Sequence, residues 1–401
     1  MLDVPANRLK PHRLKQRPPF ERIALLLQGG GALGSYQAGV YQALDEANLH
    51  PDWVAGISIG SVNAALIAGN PPEKRVDKLR EFWEEITAPP LDSFGFQYDP
   101  SIQTSDASVH QIVNQIRALF SVLFGAPHFF TPRMPPPYLC PPDSPKTLSY
   151  YDTTPLKATL GRLVDFHRIN AGNMRFSVGS TNIRTGEQIY FDNTTHRIGP
   201  EHVMASGALP PGLPPQDIDG ELYWDGGIVS NAPLPWMLDS APRKDTLAFQ
   251  IDIWSRKGEV PRDFTHAALR EKEIRYASRT QVTTDQFKNV QKFRTAVAEL
   301  LKQLPDDLRK RPEAKSLAEQ ADEKVYNIVH LIYHSKTYEG FATDFQFSRQ
   351  SMEDHWQAGY ADGVRSLSHP EVLQRPDKLE GVRTFDWSAT VPHARLMQVN
   401  Q

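Results

Sequence analysis

An α/β fold, a mostly parallel sheet covered by helices on both faces, is predicted by three features of the sequence. Two strand–helix units follow one another near the start, residues 23–28 with 36–47 and residues 53–57 with 61–68. Their strands are continuous apolar runs rather than alternating ones, as expected of strands buried on both faces. The chain has 401 residues of which 40% are hydrophobic, enough for a large core and far from the composition of a disordered tail or a disulfide-stapled miniprotein.

In chain order, residues 23–28 form the first strand and run into Gly29-Gly30-Gly31-Ala32-Leu33-Gly34, after which Val40, Leu44 and Ala47 recur at helical spacing. After the second unit, residues 74–86 read as an amphipathic helix with Val76, Leu79, Phe82, Trp83 and Ile86 on one stripe, and residues 109–123 as another helix. Nine prolines between 127 and 155 predict an excursion without regular structure, a surface insertion or a cover for a site. Strands resume at 175–181, 188–191, 221–224 and 246–253, with a Pro-rich loop at 209–215 between the second and third of them. Beyond about residue 256 long charged stretches, 262–304 and 305–324, carry helical periodicity, followed by a last strand-like run at 325–333 and a helix at 348–367. No repeat of fixed period appears. The resulting division is a basic flexible tail at 1–20, a main domain at 21–255 and a mainly helical C-terminal extension at 256–401.

The charge balance excludes one class of function. With 44 basic and 47 acidic side chains the formal charge is -3, without the strongly basic field of a dedicated nucleic-acid binder, so no nucleic-acid partner is expected. The single cysteine, Cys140, excludes an intrachain disulfide and a thiolate zinc cluster, which fits a reducing, cytoplasmic setting. The longest apolar run near the start is five residues, 23–27, too short to span a bilayer or to act as the core of a secretory signal. Arg8, Lys10, Arg13, Lys15 and Arg17 give the first twenty residues a basic character, read as a mobile tail, with peripheral contact to an anionic membrane as the alternative.

Chemistry enters with Gly56-Ile57-Ser58-Ile59-Gly60, a G-x-S-x-G sequence between a predicted strand and a predicted helix, where a sharp turn lifts a serine hydroxyl out of the sheet. The alternative is a tight turn with an inert serine. A serine nucleophile needs donors for the developing oxyanion, and the N–H groups of Gly29, Gly30 and Gly31 at the start of a helix are the candidates, with the Ile59 amide as an additional one. The same Gly29-x-Gly31-x-x-Gly34 pattern also matches a dinucleotide-binding loop. That reading wants an acidic residue at the end of the second strand, whereas Ile57 and Ser58 stand there and Asp52 lies before the strand begins. A proton acceptor is offered by Asp225 in Trp224-Asp225-Gly226-Gly227, where two glycines let a turn bring the carboxylate close to another backbone.

These blocks in this order, a glycine-rich loop, G-x-S-x-G and D-G-G, resemble the patatin-like phospholipase family, as does Ala205-Ser206-Gly207-Ala208-Leu209-Pro210 with Pro214-Pro215 upstream of Asp225. None of the motif positions departs from the family pattern. The resemblance covers roughly residues 21–255 and implies a three-layer α/β/α domain with a Ser–Asp dyad without histidine, Ser58 as nucleophile, Asp225 as base and the glycine-loop amides as oxyanion hole. Ser348-Arg349 and the run from His355 to Gly363 look like the C-terminal extension of a bacterial subgroup, for which no role is implied.

The function expected is therefore lipid acyl hydrolysis through an acyl-enzyme, with a lipid or other acyl ester as substrate. Two alternatives accompany it: the same dyad acting on a soluble ester, thioester or storage polyester, and a non-catalytic lipid-binding module. No cofactor and no metal are implied, since no acidic loop has calcium-binding spacing and the proposed donors are amides. Among thirteen histidines, His330 and His334 lack the glutamate of a zinc motif, and His196, His202 and His355 sit in no recognisable pattern. Phe120, Phe124, Phe129, Phe130 and Tyr138 are read as core, or as an acyl-chain wall. Arg270, Lys272, Arg275 and Arg279, interleaved with Glu271 and Glu273, are read as a solvated helix face or a contact to phosphate head groups.

Overall fold

A computed structural model describes residues 12–87, 107–141, 144–277, 280–335, 339–378 and 380–386. The chain opens with strand β1 (Arg22–Leu27), helix α1 (Ser35–Glu46), strand β2 (Trp53–Ile57) and helices α2 (Ile59–Ala68), α3 (Arg75–Ile86) and α4 (Ala107–Phe124). Two short strands, β3 (Thr131–Pro132) and β4 (Tyr151–Asp152), precede helices α5 (Thr154–Leu163) and α6 (Phe166–Asn170). Strands β5 (Arg175–Asn182) and β6 (Gln188–Asp192) lead to helix α7 (Pro200–Ser206), then strands β7 (Gln216–Ile218) and β8 (Glu221–Asp225), helix α8 (Leu234–Asp239) and strand β9 (Thr246–Asp252). Helices α9 (Phe264–Tyr276), α10 (Thr280–Gln303), α11 (Asp306–Arg309) and α12 (Pro312–Gln320), strand β10 (Tyr326–Ile332), helix α13 (Arg349–Leu367) and strand β11 (Val382–Asp386) complete it.

Among the described residues one nine-stranded sheet runs β11-β10-β9-β1-β2-β5-β8-β7, with β6 also on β5. The six strands from β11 to β5 are parallel to their neighbours, and β6, β7 and β8 pair antiparallel. This is the mostly parallel α/β sheet that the apolar runs predict: every residue of β1, β2 and β9 is buried. One apolar cluster fills the side of α1, α2 and α3, and a smaller one lies on the opposite face under α8 and α10.

Strand β5 brings distant parts of the chain together. Its edge pairs with β2 up to Ile57 opposite Gly179, and from the next residue that role passes to β8, with Asp225 opposite Ser180. Ser180 also faces Ile189 of β6, so β6 takes the other edge of β5 and β8 shares the β2 edge. Because β2 runs parallel to β5 and β8 runs antiparallel, their C-terminal ends converge on adjacent residues of one strand. Ser58 follows the end of β2, and Asp225 is the last residue of β8.

Among the described residues the C-terminal segment holds five helices, in keeping with its expected mainly helical character, and its strand-like run is β10, which together with β11 extends the same sheet in parallel register beyond β9. Helix α13 crosses α1 at backbone contact: a Cβ on Gly39 would lie 1.9 Å from the Trp356 carbonyl oxygen, and one on Gly359 the same distance from that of Tyr36. At the other end of the chain, part of the basic segment is anchored, with the Leu14 N–H bonded to the Ala47 carbonyl, His12 and Phe20 buried, and Arg17 paired with Asp52. Residues 1–11, including Arg8 and Lys10, lie outside the described residues. No helix among the described residues is long and apolar enough to cross a membrane.

Candidate active site

Ser58 stands between β2 and α2 with φ 56° and ψ −126°, a backbone conformation that costs a non-glycine residue on the order of 1–3 kcal/mol and so has to be held by its surroundings. Several contacts hold it. The Ser58 N–H is bonded to the Ser206 carbonyl at 3.1 Å and to its Oγ at 3.0 Å, while the Ser206 hydroxyl donates to the Gly179 carbonyl at 2.6 Å. The Ser61 hydroxyl donates to the Ser58 carbonyl at 2.6 Å. Both glycines of the motif are sterically required, because a Cβ on Gly56 would meet the Gly60 carbonyl oxygen at 2.2 Å and one on Gly60 that of Leu27 at 2.4 Å.

Asp225 ends β8 and is 2% exposed. Its Oδ1 accepts the Gly227 N–H at 2.7 Å, and Gly226 is pressed against the Gly179 carbonyl, 2.4 Å from where a Cβ would stand. Burial raises its pKa to about 6, opposed by the neighbouring Ser58 hydroxyl and by the Gly227 N–H. A carboxylate held near pH 6 is a better proton acceptor than an exposed aspartate and is still ionised at neutral pH.

The glycine loop closes the third side. Gly29 is clamped by Asn231, whose Oδ1 accepts the Gly29 N–H at 3.2 Å and whose Nδ2 donates to the Gly29 carbonyl at 3.0 Å; the Trp254 indole N–H donates to that carbonyl as well, at 3.0 Å. The Gly29 amide is thereby engaged. Gly30 and Gly31 lead into a 3-10 turn over Gly31–Gly34, where the first N–H groups have no partner within the turn. Gly31 takes φ +57°, a conformation natural to glycine.

Gly29, Gly30, Gly31, Ser58 and Asp225 all border one cavity of about 400 Å³. Its walls are mostly apolar, with Phe129 and Phe130 from the Pro-rich excursion, Leu156, Leu209 from the 209–215 loop, and Phe347. The two loops are joined by hydrogen bonds from the Tyr150 and Tyr151 N–H groups to the Pro211 and Gly212 carbonyls, each 3.0 Å. Of the other aromatic candidates, Phe120 and Phe124 stack on each other in α4, and Tyr138 is 76% exposed.

No described histidine lines this cavity. His355 is bonded to Glu339 at 2.9 Å, His202 accepts the Gly199 N–H, His196 contacts Thr195 and His330 is buried within β10. Of the basic candidates, Arg270 pairs with Glu273 and Arg275 with Glu271, whereas Lys272 lines the cavity, bonded to Asp344; Arg279 lies outside the described residues. Asn231, Trp254, Tyr276 and Asp344 reach the cavity without having been singled out by sequence. Asn231 lies six residues after Asp225 in an unremarkable Ser-Asn-Ala-Pro turn, and only the fold brings it to Gly29.

A family model described as patatin phospholipase matches residues 274–379. Over 57 residues the chain is 47% identical to lysophospholipase nte1 of Aspergillus terreus, covering 14% of this chain and 4% of that protein. Over 218 residues it is 28% identical to patatin-like phospholipase domain-containing protein 6 of Mus musculus, covering 53% of this chain and 12% of that protein. The chain thus spans 4–12% of the length of these curated relatives. Among solved structures, VipD from Legionella pneumophila aligns with 94% of this chain and 77% of its own, at a TM-score of 0.38 and 14% identity. A second family model, described as patatin-like phospholipase, matches residues 25–238, more than half of the sequence, and the chain belongs to that family.

Proposed function

We propose that this chain is a serine lipid acyl hydrolase that uses Ser58 and Asp225 as a dyad. The observation that carries the reading is the buried Asp225 carboxylate beside the Ser58 hydroxyl in the lining of one mostly apolar cavity. Asp225 takes the proton as Ser58 Oγ attacks the ester carbonyl, and the amides of Gly30 and Gly31 hold the oxyanion, with Gly29 fixing the loop behind them. Collapse of the tetrahedral intermediate returns the proton to the departing alcohol and leaves the acyl group on Ser58. Asp225 then deprotonates a water molecule that attacks the acyl-enzyme, releasing the fatty acid and restoring the serine.

The cavity lies toward the small end of the usual range for ligand sites, about 300–1,000 Å³, and suits one acyl chain better than two. A monoacyl lipid is therefore the favoured substrate, in keeping with the lysophospholipase name of the fungal relatives. The dyad and loop belong to residues 21–255, with 256–401 as the extension, and the single cysteine supports a reducing, cytoplasmic setting with peripheral contact at lipid surfaces.

The test is incubation with a mixed lipid extract, with products read by mass spectrometry alongside fluorophosphonate labelling. Free fatty acid should appear, monoacyl lipids should be consumed first, a chelator should leave the rate unchanged, and the label should sit on Ser58. Lipid binding without turnover or labelling would point to the non-catalytic alternative. Turnover confined to short soluble esters, indifferent to vesicles, would replace the lipid reading with that of an esterase.

A further inference from the structure

We propose that the ion pair between Lys272 and Asp344 is a positioning device for the glycine loop, through which residues beyond 255 complete the catalytic site. The proposal rests on the reading of Ser58 as nucleophile and of the loop amides as oxyanion donors. Lys272 lies in α9, and its Nζ donates to Asp344 Oδ1 and to the Phe341 carbonyl, each at 2.7 Å. The ammonium also sits over the Phe345 ring, 4.8 Å from its centre. These contacts fix the turn over Thr343–Phe345, whose Asp344 main chain meets the loop. The Asp344 carbonyl oxygen approaches Gly31 so closely that a Cβ there would stand 2.0 Å away. The placement of residue 344 therefore sets how far Gly31 can swing from the mouth of the cavity.

A second tie runs from the same helix. Helix α9 ends at Tyr276, whose carbonyl accepts Gln28 Nε2 at 3.0 Å and Asn231 Nδ2 at 3.1 Å, and Asn231 grips Gly29. Both ends of the glycine triplet are thus held by α9, one through Asn231 and the other through Asp344. The Asp344 side chain is one-fifth exposed, and desolvation raises its pKa against the opposing charge of Lys272. Removing the lysine leaves that side chain without its ion-pair partner and frees the turn to move. Donors aimed at a developing oxyanion lose effect steeply with displacement, and a shift of about 1 Å costs on the order of 100-fold in rate.

The experiment compares wild type with Lys272→Met, Asp344→Asn, the double variant and Lys272→Arg. A neutral soluble ester, p-nitrophenyl butyrate, is the substrate, so that loss of an anion contact to substrate is not what is read. Each single variant should lose about 10–100-fold in kcat with KM within about threefold, the double variant should be no worse than the poorer single one, and Lys272→Arg should recover most of the loss. Hydrogen exchange in the peptide spanning residues 28–34 should quicken in Lys272→Met, whose thermal midpoint reports whether the fold is intact. Unchanged kcat and exchange in both single variants would overturn the brace, as would a change in KM alone or losses that multiply in the double variant. Ser58→Ala is carried in parallel: turnover retained there refutes the nucleophile, and the exchange measurement still decides the brace.

Discussion

Asp225→Asn should make the protein both less active and more stable at neutral pH. The activity loss follows from the proposed role: an amide accepts no proton, so kcat for ester hydrolysis should fall by about 10³–10⁴-fold, and Ser58→Ala should cost at least as much. The stability gain follows from burial. A folded-state pKa of about 6 against 3.8 for an unperturbed aspartate means that the native state binds the proton more tightly than the unfolded chain. Between roughly pH 4 and pH 6 this group's contribution therefore falls as pH rises, and above that window the ionised carboxylate costs the fold on the order of 3 kcal/mol. The asparagine has no charge to bury, and its oxygen still accepts the Gly227 N–H. Denaturant midpoints should coincide below about pH 4 and separate in favour of Asp225→Asn at pH 8. The kcat/KM of the wild type should rise about tenfold per pH unit below pH 6 and level off above it. A flat profile through pH 6, or an asparagine variant less stable at pH 8, would remove Asp225 from the role of buried base.

The motif glycines were legible because each performs a steric task that leaves a local trace. Gly56, Gly60 and Gly226 sit where backbone touches backbone, and Gly31 where φ is positive, so spacing alone points to a tight turn beside a strand end. The strands of the parallel core were legible for a similar reason, since burial on both faces writes an unbroken apolar run. What eluded sequence were contacts made by residues far apart along the chain. Asn231 and Asp344 act through a partner 202 residues away in the first case and through a main-chain carbonyl in the second, neither of which leaves a pattern. Strand β11, Val-Arg-Thr-Phe-Asp, is an edge strand with one partner among the described residues, and its mixed polarity carries no core signature. The Gly29 amide shows the limit of motif reading from the other side: the glycine is where a donor is expected, yet its N–H is given to Asn231.

Gly359→Ala should be among the most destabilising single-methyl additions in the chain. Helices α1 and α13 meet with Gly39 and Gly359 each facing the other's backbone, and Gly363 places a further would-be Cβ 2.7 Å from that of Ala43. An alanine at 359 would bring its methyl to 1.9 Å from the Tyr36 carbonyl oxygen, a contact relieved only by moving one helix off the other. Separation would also disturb the hydrogen bonds that cross the interface, from Tyr36 Oη to Asp362 at 2.8 Å, from Trp356 Nε1 to Gln42 at 2.6 Å and from Tyr360 Oη to Glu46 at 2.8 Å. A loss of about 3 kcal/mol is expected, a fall in thermal midpoint on the order of 5 °C, with Gly39→Ala similar. Once either methyl has forced the helices apart, the second has less to disrupt, so the double variant should lose clearly less than the two single losses together. Because α1 begins at Ser35, directly after the glycine loop, its displacement should also lower kcat while Ser58 and Asp225 stay in place at the ends of β2 and β8. Unchanged midpoints in both single variants would show that the crossing yields without cost, and α13 would then be a loosely attached appendage rather than a part of the layer that carries the loop.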